Sequence, residues 1–595
     1  MRICSALRMP CTTFTSYSKI VAIVLSIVLI STSVSAVKSL KAKVTDETYT
    51  LSLVNYTALN SQVVSQQVII PPNTEIGVLI KDIPLGTQFL VVQAHSYIYN
   101  VTLTYQGESN TLSGTNVGFV HTVTALLLPM FYVSNDNAVN STVMLAVIGY
   151  GVNAPVPGGC NMEFSTKLAP YLHLSLSNSL ITVESQPAMF KKCSEPYYIT
   201  YEFYHMYQLE SDYTPASYFK AVSSMISPNE IRANGRLVDA SPLTTPMRRL
   251  FSAYHGTGSV YALVATLYGT NISAAYIPTH TYACSMISLV NPCVSSPLSW
   301  TIVSVLLAIL GTSLCLYGHY HFKTGLFIHG LLFSSLLTYT LTVHETATMP
   351  DPAVNFWLLL LLGLICGRFW VYIWNQFGHP FISTTLSALT LSSFIFLVFL
   401  YSPYGKYPLS HSSFIFLVLL YSPYGDFTLL QSDINYVLIF VCIFFLVLCE
   451  FSIAPRFMNI VSCAVLGSYL IIFALDYFFS TNLKYLAING VRRLTVDNFN
   501  MATIDPPYQN VDRVLSILWG MLVMLGIISQ RISVSGKPSF PPPGGSYEDV
   551  PEDWEEEGAR TGLLVGHTSG LYYWGDSSNI LARQIVGPSG QYMYV

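Results

Sequence analysis

Two patterns of apolar residues divide this chain. From Val37 to about Ser299 no apolar run is long enough to span a bilayer. Period-two alternation recurs instead, at Tyr49–Val54, Tyr97–Tyr105, Thr142–Ile148, His173–Val183, Tyr197–Tyr207 and Ser259–Leu267. Such alternation predicts half-buried strands. Turn residues punctuate them at Pro71-Pro72-Asn73, Gly107–Asn110 and Pro155–Gly159, and only Ser217–Ile226, stopped by Pro228, reads as a short helix. Many short strands joined by polar turns predict an all-β ectodomain of one or two β-sandwiches. We divide it near Phe164, into 37–164 and 165–299.

From Trp300 the pattern changes to seven apolar runs: Trp300–Tyr317, Gly325–Val343, Val354–Trp374, Ile382–Tyr401, Ile434–Cys449, Met458–Phe479 and Val511–Ile528. Most match the length a helix needs to cross about 30 Å of hydrocarbon, and helices satisfy their own backbone there. The fifth is short unless it continues through Glu450 to Ile453. Residues 300–529 are therefore read as a seven-span α-helical bundle in the lipid bilayer, and 530–595 as a disordered cytosolic tail.

One repeat bears on the count. Ser392–Gly405 (SSFIFLVFLYSPYG) returns as Ser412–Gly425, 20 residues later, differing only in Phe399 against Leu419. The second copy is too short to cross, so we read it as an interfacial or re-entrant duplicate between the fourth and fifth spans. Were it to span, the tail would change sides.

Composition agrees with a membrane chain: 52% of its 595 residues are hydrophobic and 10% charged, well below the roughly 25% of soluble domains. The net charge of −4 and the lack of a basic patch argue against nucleic-acid binding. Residues 1–36 read as a secretory signal: Arg2, Arg8 and Lys19 precede the apolar run Ile20–Ile30, and Val34-Ser35-Ala36 resembles a cleavage site. A retained signal anchor is the alternative, and either places the β-rich half outside. Four sequons, Asn55, Asn100, Asn140 and Asn271, fall only in that half. Cys160, Cys193, Cys284 and Cys293 lie there too, an even number that implies two disulfides with three possible connectivities. Cys284–Cys293 is the easier closure by sequence distance, which leaves Cys160–Cys193. Positive-inside counting is mixed. Lys323, Arg456, Arg531 and Lys537 fall inside, but Lys484, Arg492 and Arg493 sit in the loop assigned outside.

Candidate chemistry is sparse. Polar residues within spans are the default places to look. Asp476 lies near the outer end of the sixth span and Arg368 toward the inner end of the third, depths too different for a shared relay. Each can snorkel to an interface. His319, His321 and His329 could begin a zinc site for membrane hydrolysis, but the last span carries no histidine to complete it. No phosphate loop, nucleophile elbow, cofactor motif or rhodopsin-type signature occurs, so no enzyme is expected. In the tail, Pro541-Pro542-Pro543 could dock an SH3 or WW domain, and Tyr547-Glu548-Asp549 opens an acidic stretch that suits phosphorylation.

Several runs resemble a known family: Val156-Pro157-Gly158-Gly159-Cys160-Asn161-Met162-Glu163-Phe164, Asn271 to Ser285, Gly467-Ser468-Tyr469 with Asp476 and Ser480-Thr481, Trp519-Gly520-Met521-Leu522, and Pro538 to Pro542. Together they resemble the family of transmembrane 7 superfamily member 3. The membrane half is similar to the broader family shared with transmembrane protein 198. The resemblance implies a multi-pass protein of the plasma membrane or secretory pathway with no assigned catalysis. It also implies a role in cell survival and in attenuating endoplasmic-reticulum stress. Departures are the duplication and the tail beyond Glu557, apart from Arg560-Thr561-Gly562-Leu563-Leu564. The expectation is a non-enzymatic homeostatic protein whose ectodomain meets an unknown extracellular ligand or protein. An orphan non-rhodopsin receptor or channel-like protein is the alternative, and a zinc-dependent membrane hydrolase a distant third.

Overall fold

The computed structural model describes residues 43–105, 111–123, 129–163, 169–177, 179–193, 199–242, 247–284, 286, 293, 298–345, 352–401, 431–479, 481–543 and 545–547. The signal segment, the second copy of the repeat and the acidic stretch after Tyr547 lie outside these. The chain divides into two compact units at Gly149/Tyr150, not near Phe164. The reason is local: Val156 already pairs with Met189, and Cys160 is bridged to Cys193, so this segment belongs to the second unit.

The first unit holds two sheets. One has strand order β1 (Lys43–Ser52), β3 (Thr74–Lys81), β8 (Met130–Asn135), β5 (Val101–Tyr105) and β6 (Thr111–Gly114). The other runs β2 (Val63–Ile70), β9 (Ser141–Gly151), β4 (Thr87–Ser96) and β7 (Asn116–Thr122). Phe119 of β7 meets Phe131 of β8 edge-on at 5.6 Å and stacks on Tyr105 of β5 at 4.3 Å, so the sheets face each other across an aromatic core. The strand expected over Tyr97–Tyr105 begins only at Val101, because Tyr97–Asn100 forms the turn from β4.

The second unit contains another sandwich. A three-stranded sheet, β10 (His173–Leu176), β11 (Leu180–Ser185) and β14 (Met247–Ser252), faces a sheet of β13 (Arg236–Pro242), β12 (Ile199–Glu210), β15 (Thr257–Leu267) and β16 (Ser273–Ala275), with β17 (Thr279–Thr281) also paired to β15. The single strand expected over His173–Val183 is thus a hairpin, β10–β11. Between the sheets pack Ile181, Val183, Phe203, Phe251, Tyr261 and Leu263. The other face of β15 is covered by α1 (Pro215–Ser223), α2 (Pro228–Asn234) and the turn between them, where Ala221, Met225 and Ile231 pack on Val260 and Ala262. β15 is therefore buried on both faces and loses the polar alternation of a half-exposed strand. Pro228 does more than stop α1. It sits in the first turn of α2 behind the N-cap Ser227, a position where its missing N–H costs nothing.

The helical half follows: α3 (Leu298–Tyr317), α4 (Phe322–Glu345), α5 (Pro352–Phe377), α6 (Pro380–Tyr401), α7 (Asp433–Ile453), α8 (Pro455–Phe479), the short α9 (Tyr485–Thr495) and α10 (Asn510–Ser533). Six of these are long and apolar enough to cross a membrane, and α3 adds a shorter apolar stretch at Thr301–Tyr317. The fifth span does extend to Ile453. α3 and α8 run antiparallel in close contact: Thr301 bonds Tyr477 at one end, and Gly318 lies against Cys463 at the other. The end of α6 and the start of α7 meet on one face, where Phe396 packs on Tyr436 and Arg493 pairs with Asp433. The second copy of the repeat falls between these two helices, outside the described residues.

The tail expectation needs correction. α10 continues to Ser533, past the expected limit at 529, and the chain then folds back onto the bundle through Tyr547, which is 1% exposed. Phe540 packs with Phe322, Trp374 and Leu386, so the described residues of 534–547 form an ordered strap rather than a free tail.

Candidate functional site

The three cations that spoiled the positive-inside count build the site. Lys484 lies in the turn between α8 and α9, and Arg492 and Arg493 lie on α9; Lys484 and Arg492, with the loop before α10, bind the second β-sandwich to one face of the bundle. Lys484 Nζ stands 2.9 Å from Asp476 Oδ2 at the end of α8 and 3.6 Å from Glu210 Oε1 at the end of β12. Thr481 donates to Asp476, and Asn482 donates its side-chain amide to Glu210 at 2.9 Å and its backbone N–H to Asp512 at 2.8 Å. Asp512 and Gln509 form a capping box at the start of α10, and Gln509 also accepts from the Glu210 backbone N–H at 3.3 Å.

Two carboxyl groups, Glu210 and Asp476, thus flank one half-buried ammonium, with Asp512 nearby on the Asn482 backbone. Burial pushes the Glu210 carboxyl up to about 8, against the attraction of Lys484 and with the charges of Asp476 and Asp512 adding. Burial opposes the charge on Lys484, but Asp476, Tyr485 and Glu210 outweigh it and hold its pKa above the usual value. Charges this deep are tolerated only when paired and hydrogen-bonded.

A second group of contacts extends the clasp. Arg492 donates to the Ala253 carbonyl at 2.8 Å and to Ser252 Oγ at 3.0 Å, while its guanidinium lies 5.3 Å from the Tyr485 ring centre. Tyr485 OH accepts from the His255 backbone N–H at 2.8 Å. Thr503 pairs with β14 by backbone bonds to Leu250 and Ser252. Asp505 then takes Arg236 at 2.5 Å and His205 Nε2 at 3.1 Å. Arg493, on the other side of α9, pairs with Asp433. The loop between α8 and α10 is therefore a clasp made of ion pairs, a strand-like backbone pairing and an arginine on carbonyls.

The residues singled out from sequence fall in different places. Asp476 does not snorkel; it is 2% exposed and paired inside the clasp. Arg368 is exposed on α5 and is not part of the clasp. Asn55, Asn100, Asn140 and Asn271 are all exposed outside strands and helices, where a glycan would fit. Cys160 pairs with Cys193 and Cys284 with Cys293, with Cα separations of 5.6 and 5.3 Å. The histidines do not converge. His319 uses Nδ1 on Asn459 and Nε2 on the Ser539 carbonyl and Tyr547 OH, and burial lowers its pKa to about 3. His329 lies within α4 between the Gly325 carbonyl and Ser462, and His321 is exposed. Among the described residues no three His, Cys, Asp or Glu side chains are placed to hold a metal. Pro541, expected on a free tail, is buried. Sequence reasoning missed Glu210, Asp505, Asp512 and Arg236. The signal that pointed to them was the anomalous charge of Lys484, Arg492 and Arg493, which required partners.

Three family models cover most of the chain: the TM7SF3-like N-terminal immunoglobulin-like domain over 57–150, the TM7SF3-like second immunoglobulin-like domain over 155–287 and the TM7S3/TM198-like domain over 304–531. The clasp joins the last two. Transmembrane 7 superfamily member 3 of Homo sapiens is 28% identical over 487 residues, covering 78% of this chain and 81% of that protein. The Rattus norvegicus protein of that name is 29% identical over 489 residues, 78% and 82% of the two chains. The strap, 534–547, lies beyond the matched region. Paired immunoglobulin-like domains, a helical bundle of this pattern and relatives aligned along most of their length lead to one conclusion: the chain is a multi-pass membrane protein that belongs to the transmembrane 7 superfamily member 3 family.

Proposed function

We propose that this protein acts without catalysis, as a homeostatic factor that supports cell survival and attenuates endoplasmic-reticulum stress. Its β-domains, glycosylated and disulfide-bonded, face the lumen or cell exterior, and the tail faces the cytosol. The β-domains bind or sense an extracellular ligand or protein, and the bundle carries the consequence through the membrane. The clasp is the observation that supports this reading: with Glu210, Lys484 and Asp476 in one buried network, a change in the second β-domain shifts the ends of α8 and α10. The homeostatic role itself comes from the family resemblance.

The test uses cells depleted of the protein and exposed to an inhibitor of N-glycosylation. Re-expressed wild type should restore survival and lower stress signalling. An Arg492→Ala/Asp505→Ala clasp variant that still reaches the same membranes should not. Equal rescue by both would remove the clasp from the mechanism, and no rescue by wild type would end the homeostatic reading.

A further inference from the structure

After α10 the chain turns across the far face of the bundle and is held by side chains rather than by secondary structure. Arg456 donates to the carbonyls of Val534 and Lys537. The Phe540 ring enters an aromatic pocket, 5.3 Å from Phe322, 5.4 Å from His319 and 6.0 Å from Trp374. Tyr547 closes the strap: its hydroxyl meets His319 Nε2 at 3.2 Å and donates to the Ser539 carbonyl at 3.1 Å. Its ring stacks on Tyr320 at 6.0 Å, with Lys537 Nζ 4.5 Å from the Tyr320 ring centre.

We propose that Tyr547 is a tyrosine-phosphorylation site gated by this strap, and that its modification holds the strap off the bundle and uncovers Pro541-Pro542-Pro543. Three observations lead there. Tyr547 is followed by Glu548, Asp549, Glu552, Asp553 and Glu555 to Glu557, an acidic context of the kind acid-directed tyrosine kinases read. The hydroxyl is buried against a histidine and a carbonyl, and Arg456 is already engaged by two other carbonyls. A phosphate dianion with three acceptor oxygens does not fit a closed seat whose nearest backbone group is itself an acceptor. Finally, Phe540 and Tyr547 anchor the strap by ring packing and neutral hydrogen bonds, contacts that can open and reclose. In the reaction the γ-phosphoryl group of ATP passes to the Tyr547 phenolic oxygen, the phenolic proton leaves to a base of the kinase, and ADP departs.

The proposal rests on the cytosolic placement of the tail given above, since ATP and kinases act there. The test does not, because it uses purified protein. Full-length protein in lipid nanodiscs would be incubated with Mg·ATP and the catalytic domain of an acid-directed tyrosine kinase, beside a peptide of residues 539–557. The peptide and a Phe540→Ala variant should be phosphorylated. Wild type should react at least ~10-fold more slowly, in proportion to its open fraction, and Tyr547→Phe should not react at this position. Hydrogen exchange over 534–547 should rise once wild type is phosphorylated. Wild type reacting as fast as Phe540→Ala would remove the gate. An unmodified peptide would remove the acceptor, and a strap still protected after phosphorylation would remove the release. A luminal tail, found separately by protease protection, would leave these readouts intact and overturn only the cellular placement.

Discussion

At the scale of residues, the informative groups are charges that look misplaced. Glu210 carries the clearest consequence. It faces Lys484 and Asn482 directly, with Asp476 and Asp512 adding negative charge. Its pKa rises from 4.5 to about 8 in the folded protein. Between these values the folded clasp retains a proton that the unfolded chain has released, so stability falls as pH rises from about 4.5 to about 8. At about 1.4 kcal/mol per unit, the span is worth on the order of 5 kcal/mol. Asn482 Oδ1 has no hydrogen-bond partner among the described residues, and a turn of that amide lets it accept the Glu210 proton. Glu210→Gln keeps the neutral form at every pH. Its melting temperature should match wild type near pH 5 and exceed it near pH 8, as followed by intrinsic fluorescence in nanodiscs. Parallel curves for the two proteins would show that Glu210 does not titrate in this window.

At the scale of elements, the bundle depends on close approach between α3 and α8. A Cβ on Gly467 would stand 2.4 Å from the Cys315 backbone N and 2.7 Å from the Gly311 carbonyl oxygen, and neither can yield without separating the helices. Small residues at such crossings allow the dispersion contacts and backbone proximity that drive helix association in lipid. Gly520 on α10 has nothing within 4 Å of its Cβ position. Gly467→Ala should therefore destabilise the bundle by about 1–3 kcal/mol, the usual range for overpacking. Gly520→Ala should be neutral within about 1 kcal/mol. Thermal inactivation measured by size-exclusion recovery compares them directly, and equal losses would mean that the α3–α8 crossing is not where the packing is tight.

At the scale of the whole molecule, topology decides where each site acts. The clasp meets the bundle where α3 and α10 begin, and the strap crosses the face where they end. The two are on opposite faces. With the β-domains outside, all four sequons should carry glycans in cells, each Asn→Gln change at 55, 100, 140 or 271 removing one step from a glycosidase ladder. A tag after Val595 should be digested by protease only once the membrane is permeabilised. A tag digested on intact cells would reverse the proposed sidedness.

Much of this architecture was legible along the chain because its causes are local. A run of about twenty apolar residues has to satisfy its backbone by itself, so helices at 300–317 or 458–479 follow from sequence with little freedom. Alternation, turn residues, sequons and an even number of cysteines likewise mark the β-rich half without reference to distant contacts. The family resemblance, carried by short runs such as Val156–Phe164, added an expectation that the aligned relatives support. What sequence left open depends on long-range pairing. Glu210 and Lys484 are far apart in the chain, and only the folded molecule shows that each is the other's partner. The same holds for Asp505 with His205 and Arg236, and for Tyr547 with His319. The prolines before Tyr547 read as disorder because composition reports the average cost of burying a segment, whereas Phe540 against Phe322 and Trp374, and Tyr547 against Tyr320 and Ile460, hold this one. The sequence by itself determined which segments enter lipid and which fold as sheets, since hydrophobic periodicity acts over a few residues. The tertiary structure decided which charges are buried together and where the tail lies, because those depend on surfaces that exist only after the elements pack.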